Sequence, residues 1–74
     1  MSIAIEQEVK KLQIKSDDEL MKIYAQQILD PQTGIVNALG FIMQERNIKP
    51  GSMVIAFNYT DSKGSEKMIK LMEA

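Results

Sequence analysis

The residues of this chain able to take part in chemistry are ten carboxylates, two tyrosines and scattered hydroxyls; histidine and cysteine are absent. Without histidine the commonest general base and metal ligand is missing, and a Ser-His-Asp triad cannot be assembled within the chain. Without cysteine there is no disulfide framework and no thiolate zinc site. Catalytic carboxylate pairs need burial to drive their pKa values apart. The one local concentration of acid, Asp17-Asp18-Glu19, sits where a helix N-terminus recruits negative charge. The stretch DSKGSE (61–66) lacks the alternating oxygen ligands of a calcium loop. Gly34 and Gly40 do not make a dinucleotide fingerprint, and there is no P-loop. The helix start around Thr33 offers free N–H groups for a phosphate, but Asp30 would repel the anion. The chain is therefore expected to be non-enzymatic, with no catalytic residue, no metal and no cofactor.

Its 74 residues make a single small domain, 1–74. A chain of this size buries only about 60% of its unfolded surface, and is marginal without staples or partners. The apolar fraction of 45% argues against disorder, and a net charge of −1 gives no basis for charge-driven binding to nucleic acid or lipid. No apolar run approaches a membrane span, and the N-terminal MSIAIEQEVKK is acidic where a signal peptide is basic. A cytoplasmic location is the expectation.

The pattern predicts an α+β fold: three helices (about 3–14, 17–29 and 31–46), then a C-terminal antiparallel β-hairpin (about 53–60 and 65–72). The first helix has Ile5, Val9 and Leu12 at helical spacing, although Ile3 and Ile5 also alternate as in a strand. Its apolar stripe is narrow and places it at the periphery. The second opens with a capping box, Ser16 and Glu19, and carries Leu20, Ile23, Tyr24 and Ile28 on one stripe. Gln27 lies inside that stripe, as an edge residue bonded to a loop or as a polar interface contact. The third is expected to start with Asp30 as cap and Pro31 at the first helical position. Ile35, Leu39 and Ile42 form its main stripe, flanked by Val36, Met43 and Ala38, while Phe41 falls outside it beside Gly34, Ala38 and Glu45. Gly34 and Ala38 are small enough for another helix to approach beside Phe41.

Pro50-Gly51 reads as a type II turn with Gly at positive φ. DSKG (61–64) reads as a type I turn with Gly64 left-handed. That turn sets Asp61 opposite Ser65, Tyr59 opposite Lys67, Phe57 opposite Ile69 and Ile55 opposite Leu71 on one face. The other face pairs Val54 with Met72, Ala56 with Lys70 and Asn58 with Met68. In a rival reading, residues 65–73 form a short helix capped by Ser65.

Surplus apolar surface ranks the functions. The leading expectation is a protein-interaction module that forms a homo-oligomer and docks on a larger protein as an accessory or inhibitor. Its contact surface would use Gly34, Ala38, Phe41, Glu45, Val54, Ala56, Met68 and Met72. Six methionines add adaptable surface. One alternative is a winged-helix DNA binder, with Arg46, Lys63 and Lys67 on phosphate. Another is a protein that sequesters a small ligand or nucleotide at a subunit junction, stacking it on Tyr24, Phe41, Phe57 or Tyr59.

Overall fold

The computed structural model describes residues 3–53 and 55–70. Three helices, α1 (Ile3–Leu12), α2 (Asp17–Leu29) and α3 (Thr33–Arg46), precede three strands, β1 (Lys49–Met53), β2 (Ala56–Thr60) and β3 (Glu66–Lys70). The strands form one antiparallel sheet in the order β1-β2-β3. The fold is α+β, as expected, with a three-stranded sheet where two strands were anticipated.

The second helix begins as its sequence predicts. The Ser16 hydroxyl accepts the Glu19 N–H at 3.2 Å, and the Glu19 carboxylate accepts the Ser16 N–H at 3.4 Å. Such a cap contributes about 1 kcal/mol. The third helix begins two residues later than expected, at Thr33 with Gln32 as its N-cap. Asp30 instead closes α2, its N–H donating to the Gln26 carbonyl. The Gln32 N–H is taken by the buried Gln27 side chain at 2.8 Å, which accounts for an amide inside an apolar stripe. The helix ends at Asn47, whose left-handed φ of 60° turns the chain so that the Ile48 N–H donates back to the Met43 carbonyl at 2.9 Å.

The first helix is shorter than expected, ending at Leu12. It is also less peripheral: Val9 and Leu12 join the core, and α1 packs along α3. Ala38 is fully buried.

Met21, Leu39, Ile42 and Phe57 are each essentially inaccessible, and Tyr59 is 3% exposed. Burying a side chain like Phe57 stabilises by about 1.5–3 kcal/mol. Phe57 stacks between Tyr24 of α2 (centroids 5.3 Å apart) and its strand neighbour Tyr59 (5.8 Å), joining the helices to the inner face of the sheet.

The β2–β3 register matches the sequence pattern: Phe57 faces Ile69, Asn58 faces Met68, Tyr59 faces Lys67 and Ala56 faces Lys70. Residues 66–70 are strand, so the helical alternative does not hold there. Gly64 takes φ 82°, and Asp61 and Ser65 close the turn. The pairings Ile55–Leu71 and Val54–Met72 lie outside the described residues, and Ile55 itself is 69% exposed and precedes β2.

Pro50 and Gly51 are a correction. They belong to β1, and Gly51 has no positive φ. Proline fits because β1 is an edge strand. Glycine fits because β2 lies against it: a Cβ at Gly51 would sit 2.8 Å from the Asn58 carbonyl oxygen. Pairing runs from Pro50–Tyr59 to Met53–Phe57, so β1 takes an extra residue as a bulge.

Two glycines should therefore respond oppositely. Gly51→Ala should destabilise by about 1–3 kcal/mol through overpacking. Gly40→Ala, in mid-helix with nothing near its Cβ, should stabilise by about 1 kcal/mol. Urea unfolding of both variants checks this; shifts of the same sign would contradict the placement of β1.

Candidate interaction surface

Arg46, at the end of α3, donates to the Lys15 carbonyl at 2.8 Å, the Gln13 carbonyl at 2.7 Å and the Asp17 carboxylate at 3.0 Å. The other Asp17 oxygen accepts the Ser62 N–H at 3.0 Å and the Ser62 hydroxyl. Asp18 ion-pairs with Lys22 at 3.2 Å and accepts the Tyr59 hydroxyl at 3.3 Å. Asp61 accepts the Lys63 and Ser65 N–H groups at 3.0 and 2.9 Å, tying off its own turn. Asp17, Asp18, Arg46, Tyr59, Asp61 and Ser62 line an open hollow of about 510 Å³ rimmed by Lys63 and Lys67.

The electrostatics follow from these bonds. Burial alone would raise the Asp17 pKa, but the Ser62 hydrogen bonds and then Arg46 outweigh it and hold it below 3.8. Tyr59 is pushed up to about 12, by burial first and then by the charge and hydrogen bond of Asp18. Arg46 and Ser62 bonded to Asp17, and Tyr59 bonded to Asp18, make the hollow a clamp between the helices and the hairpin. No group of three His, Cys, Asp or Glu among the described residues is placed to hold a metal ion.

The residues expected at an interface separate into several places. Ala38 is buried inside the chain and offers no surface. Phe41, 39% exposed, borders α1 in a shallow hollow with Glu6, Val9, Lys10 and Gln13. Gly34 and Glu45 are exposed on the same helix. Ala56 and Met68 lie on the outer face of the sheet, half-buried and 66% exposed respectively. Val54 and Met72 lie outside the described residues.

The pattern missed a second apolar place. Ile28 and Val36, expected to face inward, are 49% and 40% exposed. They meet Tyr24, Gln27 and Pro31 in a hollow of about 290 Å³ at the α2–α3 elbow. The missed signal was the short connection: Pro31 and the Gln27 bond turn the chain so sharply that both helices leave an apolar residue outside it.

Arg46 is not available to phosphate, since its guanidinium is committed to the α1–α2 connection and Asp17. No helix among the described residues is long and apolar enough to cross a membrane.

The clamp predicts opposite responses at the two ends of the pH scale. The raised Tyr59 pKa gives stability present below pH 10 and lost as pH climbs through about 12. The lowered Asp17 pKa gives stability present above 3.8 and lost as pH falls through its folded value. Thermal melts of Tyr59→Phe should show a shallower alkaline decline than the native chain, and Asp17→Asn a shallower acidic one. Parallel curves would mean that the clamp is not closed in solution.

Comparison with protein-family models, with curated proteins and with solved structures returns no match for this chain.

Proposed function

We propose that this chain is a small non-enzymatic interaction module, self-associating and docking on a larger protein through its exposed apolar places. The observation that carries the reading is the elbow hollow. Tyr24 and Ile28 of α2, Val36 of α3 and Pro31 of the connection meet there, and the other faces of both helices fill the core. Ile28 is 49% exposed and Val36 40%. Scattered single apolar residues are normal on a surface, but several around one concavity form the kind of pocket that receives an anchoring side chain.

Two observations weigh against the alternatives. The exposed residues of α3 include Thr33, Asn37, Gln44 and Glu45 and no free cation, so a groove-reading helix would lack phosphate anchors. Two of the four ring side chains named for stacking, Phe57 and Tyr59, are buried in the core, which leaves a ligand little to stack on.

The test compares the native chain with Ile28→Glu as baits in the source cells. Ile28 is exposed, so the variant should keep the native melting temperature. The native chain should recover one protein at fixed stoichiometry, and the variant should bind that protein at least about 30-fold more weakly, the loss of one anchoring side chain. Equal recovery by both baits would remove the elbow as the docking place.

A further inference from the structure

The two edges of the sheet are unlike. On β1, Pro50 has no N–H to offer and a bulge breaks the ladder before Met53. On β3 the strand is regular, and among the described residues its side away from β2 carries no partner strand. Which groups point outward follows from the turn. The Asp61 N–H donates to the Ser65 carbonyl. Bonded and non-bonded pairs alternate along an antiparallel ladder. Lys67 and Ile69 therefore bond to Tyr59 and Phe57, and Glu66, Met68 and Lys70 direct their N–H and C=O groups to the open edge.

We propose that β3 pairs antiparallel with β3 of a second copy, the two-fold axis passing through Met68. This seam deepens the self-association part of the reading above and rests on it. In this register Met68 lies opposite Met68 of the other copy as a bonded pair, and the outward backbone groups of both strands meet. Glu66 lies opposite Lys70 on one side of the axis and Lys70 opposite Glu66 on the other. All three residues are exposed on the outer face of the sheet, so the charge pairs and the methionine pair share one surface. Sliding the centre by one residue sets Lys67 against its own copy, or moves Glu66 away from Lys70. Lysines on an edge strand usually repel a second copy. Here Glu66 turns Lys70 from a guard into a partner, and the contact is self-complementary as a two-fold interface requires. Leu29 and Ile69 line a hollow beside Lys70 on the inner side, adding apolar surface next to the seam.

Light scattering on the full chain across a concentration series should give twice the 8.4 kDa chain mass. Glu66→Lys places like charges opposite each other and should halve the mass with the circular dichroism unchanged. Glu66→Lys combined with Lys70→Glu should restore it. Met68→Cys supplies the one cysteine of the chain. A bonded pair has Cα atoms about 5.5 Å apart, within disulfide range, so this variant should oxidise to a covalent dimer. A native chain of single mass, an oligomer unaffected by Glu66→Lys, or no disulfide in Met68→Cys would each overturn the seam. The elbow is judged separately by Ile28→Glu, so this seam can fall while the docking reading stands.

Discussion

The carboxylate of Asp17 is the point on which this small fold closes. It stands at the first position of α2, where the helix dipole already favours negative charge. One oxygen receives Arg46 from the end of α3, and the other receives Ser62 from the turn between β2 and β3. The same guanidinium reaches two carbonyls of the α1–α2 connection. Three helices and the hairpin thus converge on one ion pair. In a chain without cysteine, such a cross-tie limits how the sheet can slide over the helices. Both charges are only about a quarter exposed, so the bonds that satisfy them matter more than the bare attraction between them.

What this closure leaves outside follows from the geometry of α3. Its core-facing arc is filled by Ala38, Leu39, Ile42 and Met43, with α1 along one side and α2 along the other. Phe41 and Val36 stand at opposite margins of that arc, one against α1 and one at the elbow. The sheet covers the helices with Phe57, Tyr59 and Ile69, which turns Asn58, Met68 and the edge of β3 toward solvent. With so few residues, each surface that completes the core also presents apolar atoms on its reverse.

Features written in nearby residues were legible in the sequence. The cap of α2 needs only Ser16 and Glu19, and the β2–β3 register follows once Gly64 fixes the turn, because Phe57–Ile69 is the apolar pair that must face the core. Features decided by distant partners were not. Lys49-Pro50-Gly51-Ser52-Met53 has one large apolar residue and two strand breakers, and becomes a strand only because β2 lies beside it. Asp30-Pro31 has the chemistry of a helix start, but the Gln27 side chain reaches the next N–H and moves the start to Thr33. Arg46 looks like a free cation at a helix end, and its partners lie 29 to 33 residues away in the chain. Of the expected interface, Phe41 and Met68 are at the surface, and Ala38 is lost to the core.

Closure through Asp17 is tested most directly by a double-mutant cycle on Asp17→Asn and Ser62→Ala, read by urea unfolding. If this carboxylate holds the hairpin turn to the helices, the two substitutions should be coupled, with an interaction energy of about 0.5–3 kcal/mol. Strict additivity, with each variant losing its own increment whatever stands at the other position, would contradict it: the hairpin would then be held by the packing of Phe57, Tyr59 and Ile69 and not by this carboxylate.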